Sequence, residues 1–88
     1  MKYRCPCCGY YTFENEQATT LHDACFDICP VCYWEDDPVQ LEDPTFAGGP
    51  NKVSLIQARD NYKEFGACER DMILHVRNPN TDELSGIN

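Results

Sequence analysis

The sequence predicts a small α+β domain, with a cysteine-rich β half followed by a helical half. Three observations carry that expectation. Two Cys-x-x-Cys pairs stand at 5–8 and 29–32. Short aromatic and β-branched runs flank them, as strands would. Beyond Ser54 the apolar residues recur at helical spacing. The chain has 88 residues, which permits one domain and no more. At that length only roughly 60–65% of the extended surface can be buried, so the core is thin and calls for a staple. We assign 1–77 to the domain and 78–88 to a loose tail, because the last residues carry little apolar content.

The elements follow in chain order. Cys5-Pro6-Cys7-Cys8-Gly9 is a tight turn: Pro6 fixes φ after the first cysteine, and Gly9 supplies the positive φ wanted after the last. Tyr10 to Phe13 reads as a short strand, and Phe26-Asp27-Ile28 as another. The polar stretch from Glu14 to Ala24 between them reads as a loop or one short helical turn. Cys29-Pro30-Val31-Cys32 repeats the first turn, with Tyr33 where a second Gly is expected. Glu35-Asp36-Asp37-Pro38 and Glu42-Asp43-Pro44 read as solvated acidic loops, and Gly48-Gly49-Pro50-Asn51 as a turn. Leu55 to Phe65 is the cleanest helix. Ser54 is its N-cap, Gln57 completes a Ser-x-x-Gln capping box, and Gly66 ends it. Leu55, Ala58, Tyr62 and Phe65 form its apolar stripe. A shorter helix is expected from about Glu69 to Val76, with Arg77 at its end and Pro79 beyond.

The paired cysteines point to a metal. Twenty residues separate Cys8 from Cys29, within the spacing of a four-cysteine zinc site. The expected ligands are Cys5, Cys8, Cys29 and Cys32. Tetrahedral sulfur suits zinc, and it also suits a single iron of the rubredoxin kind. Tyr33 in place of Gly, and the additional Cys7, favour zinc with iron as the alternative. Of the remaining thiols, Cys7 is expected at the knuckle tip, pointing away from the ion. His22 and Cys25 are spaced like ligands. They could replace the second pair or start a second site, but an exposed His22 and a core Cys25 are the plainer expectation.

Charge and motif content bound the function. Seven basic and fifteen acidic residues leave a formal charge of −8, which works against phosphate backbones and anionic membranes. Nucleic acid is therefore not an expected partner. No apolar run approaches a membrane span or a secretory signal, so the reducing cytosol is the expected compartment. No enzyme is expected. Cys68 and His75 are seven residues apart on one helix face, about 10 Å along its axis, too far for a nucleophile and its base. Asp71 and His75 read as a surface ion pair. The acidic clusters lack the spacing of a calcium loop, and the Gly-Gly-Pro-Asn turn lacks the Lys and hydroxyl of a phosphate loop. Four thiolates on one ion leave no open coordination position, the mark of a structural site.

Several of these residues occur together in one known family. Cys5-Pro6-Cys7-Cys8-Gly9, then Ile28-Cys29-Pro30-Val31-Cys32-Tyr33-Trp34-Glu35-Asp36-Asp37, resembles the bacterial cysteine-rich CPCC family. Gly48-Gly49-Pro50-Asn51, Ser54-Leu55 and Glu64-Phe65-Gly66-Ala67 are similar to its second half. The resemblance implies a zinc-ribbon or rubredoxin-like metal-knuckle β unit, a C-terminal helix packed on it and a second short helix. It leaves the biological role unassigned. The functional expectation is a small acidic protein-binding module stapled by zinc, with a basic protein as partner. Its expected surface joins Tyr33 and Trp34 to Glu35, Asp36, Asp37 and Glu42. The competing expectation buries Trp34 over the metal and leaves the acids to keep the protein soluble.

Overall fold

The computed structural model describes residues 3–14 and 27–85. Tyr3–Arg4 (β1) pairs antiparallel with Tyr11–Phe13 (β2), Tyr3 opposite Phe13 and Arg4 opposite Tyr11, with an irregularity between the two pairs. The strand expected at Tyr10 to Phe13 thus starts one residue later. The Tyr10 carbonyl is taken by Cys5 N–H at 2.8 Å and Thr12 N–H at 3.0 Å, which closes the turn instead of extending the ladder. β2 sends Thr12 and Phe13 inward, and the Arg4 guanidinium lies over the Tyr11 ring, 4.8 Å from its centroid.

Among the described residues, the second expected strand is reduced to a single bridge. Phe26 lies outside the described residues, and Ile28 makes only an isolated antiparallel bridge to Glu35. The reason is local. The second knuckle occupies residues 29–34, and Pro38 cuts the returning segment short. The side chain of Asn51 then acts as a surrogate strand for that segment. It accepts from Glu35 N–H at 2.9 Å and donates to the Glu35 carbonyl at 2.8 Å.

The first acidic cluster is not solvated. Asp36 and Asp37 are buried, and Asp37 caps the helix Pro38–Glu42 (α1), its carboxylate accepting from Gln40 N–H at 2.9 Å. An N-cap Asp followed by Pro at the first helical position is a helix start, and that signal outweighed the acidic composition. Glu42 and Asp43 do face solvent. Gln40, fully buried, donates to the carbonyls of Phe46, Asn51 and Val53 and accepts from the Asn51 amide. A Cβ on Gly49 would sit 3.1 Å from the Gln40 side chain, so this turn closes on a residue without one.

Leu55–Phe65 (α2) matches its expected bounds. Ser54 Oγ accepts from Gln57 N–H at 3.1 Å, and Gly66 ends the helix in the left-handed region at φ 82°. Half of the expected capping box is absent: the Gln57 amide donates to Asn61 at 2.8 Å rather than returning to the cap. Leu55 and Ala58 enter the core, where they join Phe13, Val31, Trp34 and the cysteines. The expected second helix is a tighter 3₁₀ helix, Arg70–His75. The segment expected as a loose tail carries a further helix, Thr81–Ser85 (α3). Its Glu83 is almost wholly buried and takes both Arg77 guanidinium nitrogens at 2.8 Å. Residues 86–88 lie outside the described residues. No described helix is long and apolar enough to cross a membrane.

Candidate metal centre

The two knuckles are one local structure built twice. Cys5 N–H donates to the Tyr10 carbonyl at 2.8 Å, and Cys29 N–H to the Trp34 carbonyl at 2.9 Å. Gly9 N–H donates to the Cys5 carbonyl at 2.9 Å, and Tyr33 N–H to the Cys29 carbonyl at 2.7 Å. Gly9 and Tyr33 both take the left-handed backbone, at φ 83° and 70°. Tyr33 therefore does the work expected of a second glycine and carries the steric cost of its Cβ. Its ring lies against His75, with centroids 5.3 Å apart. The knuckles are tied to the helical half as well. Arg59 donates to the Pro6 carbonyl at 2.8 Å, Arg77 N–H to the Pro30 carbonyl at 3.2 Å, and Cys68 N–H to the Cys32 carbonyl at 2.7 Å.

The turns bring Cys5, Cys8, Cys29 and Cys32 together, their sulfurs all within 4.8 Å of one another. Cys5 and Cys32 are 3.5 Å apart, and Cys8 and Cys29 are 3.7 Å apart. A tetrahedral ion with metal–sulfur bonds of about 2.3 Å has sulfur–sulfur edges of about 3.8 Å, so the quartet fits one such ion. Cys5, Cys29 and Cys32 are buried and Cys8 is half-buried. Cys29 is the favoured anion. The thiols of Cys32, Cys5 and Cys8 stabilise its thiolate, and the Thr12 hydroxyl adds a donor at 3.0 Å. Hydrogen bonding to Cys29 holds Cys32 as a thiol, and burial does the same for Cys5. A cation at the centre is what would allow all four to ionise.

The other sequence candidates separate. Cys7 does not point outward: it is buried in the same core cluster as Cys5, Cys29 and Cys32. His22 and Cys25 lie outside the described residues. Cys68 is buried, which pushes its thiol up to about 12, whereas His75 is exposed against Tyr33. Asp71 pairs with Lys52 at 3.6 Å rather than with His75. Among the described residues, the quartet alone groups potential ligands closely enough for one ion. The surface expected from Tyr33 to Glu42 is broken up, because Trp34, Asp36 and Asp37 are buried. Thr12 and Arg59 hold the site and carried no signal in the sequence. Neither has a diagnostic spacing, and their partners lie 17 and 53 residues away.

Fold and site together define a cysteine-rich α+β protein with four thiols placed to hold one metal ion. Residues 3–83 match the family described as Cysteine-rich CPCC, and the chain belongs to that family. No curated protein matches it.

Proposed function

We propose that this chain is a non-enzymatic, acidic binding module of zinc-ribbon type, stapled by one zinc ion on Cys5, Cys8, Cys29 and Cys32. The observation that carries the reading is the quartet itself: two of its sulfur separations, 3.5 and 3.7 Å, fit a tetrahedral edge, and all lie within 4.8 Å. Four thiolates would fill the coordination sphere, so the metal supplies folding energy rather than a reactive position. Zinc bound this way contributes on the order of 10 kcal/mol of apparent binding free energy, enough to decide whether so small a domain folds. The partner is a basic protein, attracted by a formal charge of −8 to which four thiolates and a divalent ion add two negative charges. With Trp34 buried, the anchor shifts to α1 and the turn that follows it. There Val39 and Phe46 are exposed beside Glu42 and Asp43, and Phe46 N–H is tied to the Asp43 carbonyl at 3.0 Å.

A second reading, a rubredoxin-like single-iron electron carrier, has one observation in its favour. The missing glycine at 33 spoke against iron, yet Tyr33 adopts the left-handed backbone a glycine would take. Elemental analysis with a visible spectrum, on protein from its native cells, separates the two. Colourless protein with one zinc per chain supports the module, and a thiolate-to-iron absorption band supports the carrier. Affinity alone does not fix which metal enters in a foreign host, so the source of the protein matters. The docking reading is tested by pull-down at low and high salt with wild type and Glu42→Gln/Asp43→Asn. A basic protein lost on neutralisation supports it, and equal recovery by both proteins counts against it.

A further inference from the structure

We propose that a cavity between α2 and the 3₁₀ helix binds a primary ammonium group on an aliphatic stem, with Glu69 as its counter-charge. The cavity has a volume of about 550 Å³, and none of its residues is a metal ligand or part of the docking turn. Glu69 lines it and is only 8% exposed. This residue stands at the N-cap of the 3₁₀ helix, where a carboxylate commonly accepts from the first turn, yet its side chain makes no cap bond. Its Oε2 accepts instead from Lys52 N–H at 3.3 Å. Its Oε1 accepts no hydrogen bond among the described residues and is open to the cavity. A carboxylate so far withdrawn from water with no cation beside it is costly, and a bound cation offsets that cost. Neither cation of the lining supplies it. Lys52 is paired with Asp71 at 3.6 Å, and Arg70 with Glu64 at 3.8 Å while its guanidinium lies over the Phe65 ring. Two cations and three carboxylates in the lining leave one negative charge. The carboxylates are not grouped for a metal ion, since among the described residues only the four cysteines are. One open oxygen suits the point charge of an ammonium, whereas a guanidinium fork calls for two. Val53 and Phe65 offer apolar wall to the methylene stem. The Asn61 amide, donating to the Cys68 carbonyl at 2.8 Å, holds the segment that carries Glu69 in place. Such a group arrives either as a lysine side chain of a protein or as a free polyamine.

Amide NMR spectra of the metal-loaded protein test this, with n-butylammonium as the probe and n-butanol as its neutral counterpart. Butylammonium should shift the Lys52 amide, whose N–H rests on the Glu69 carboxylate, together with the amides of Glu69 and Arg70, and the shifts should saturate. Butanol should leave them in place. Glu69→Gln keeps the shape, removes the charge, and should weaken butylammonium binding at least roughly tenfold. Glu64→Gln removes an exposed carboxylate of the rim and should change it by less than about threefold. A capped Gly-Lys-Gly peptide and spermidine separate the two sources: tighter binding of either than of butylammonium supports the site and names the form in which the group arrives. Equal shifts with butanol would overturn the proposal, as would equal losses in the two variants or undiminished binding by Glu69→Gln. Shifts of the same amides by inorganic phosphate and not by butylammonium would overturn it too, since Lys52 and Arg70 would then be the binding groups. Should Glu69→Gln fail to fold, the comparison of butylammonium with butanol on wild type decides alone.

Discussion

Gly9 and Tyr33 are the same residue of the same turn, one in each knuckle. Both hold a left-handed backbone, and both donate N–H to the carbonyl of the first cysteine of their pair. Equivalent turns facing each other place four sulfurs around one point, and the site follows from that duplication.

Gly9 should therefore resist substitution for a backbone reason alone. A Cβ at this position meets nothing within 4 Å, so only the φ of 83° opposes it. We expect Gly9→Ala to cost about 1–2 kcal/mol of stability in the metal-loaded protein, read from the urea midpoint. An unchanged midpoint would mean that the turn does not need its left-handed residue.

Thr12 should tune the metal without touching it. Its hydroxyl donates to the Cys29 sulfur at 3.0 Å inside the core. Thr12→Val keeps the shape, removes the donor, and should weaken metal binding about 10- to 100-fold in competition with a chromophoric chelator at fixed pH. Equal affinities would remove Thr12 from the site.

Asn51 should matter as much as a core apolar residue. It is buried, and its side chain satisfies both Glu35 backbone groups and the Gln40 carbonyl oxygen. Asn51→Ala leaves both Glu35 backbone groups unpartnered and leaves the Gln40 oxygen only the 3.3 Å bond from the backbone N–H of residue 51, and a loss of about 3 kcal/mol is expected by denaturant titration. A loss below about 1 kcal/mol would show that water replaces the amide freely.

What the sequence made legible, and what it hid, divides along range. The helix Leu55–Phe65 was readable because Ser54 and Gly66 act within a turn of its ends. The grouping of the four cysteines was readable because it is carried by local spacing. The burial of Asp36 and Asp37 was not, since it depends on Gln40 and Asn51 meeting across a sequence separation of 11 residues. Composition made that segment look solvated. The tail misled for a similar reason. Arg77 and Glu83 are six residues apart with no helical periodicity between them, so nothing local announced their ion pair. Cys7 was misplaced because a Cys-x-x-Cys turn says where its end residues point and little about its middle.

Glu35 supplies a pH test. Partial withdrawal from water, and then the Asp37 charge, raise its carboxyl above the ordinary glutamate range. The folded protein therefore takes up this proton more readily than the unfolded chain. Its contribution to stability falls as pH rises through the window just above that range. Glu35→Gln should stabilise the protein at neutral pH by at most about 0.5 kcal/mol, and the gain should vanish near about pH 3, where both states are protonated. A gain that persists at low pH would assign the effect to something other than charge.

The central claim is that one metal sits among four thiolates from two equivalent turns. X-ray absorption at the metal edge of the loaded protein counts those neighbours directly. Four sulfur scatterers at about 2.3 Å are expected, with no nitrogen or oxygen in the shell. A shell containing nitrogen or oxygen, or fewer than four sulfurs, would contradict the account.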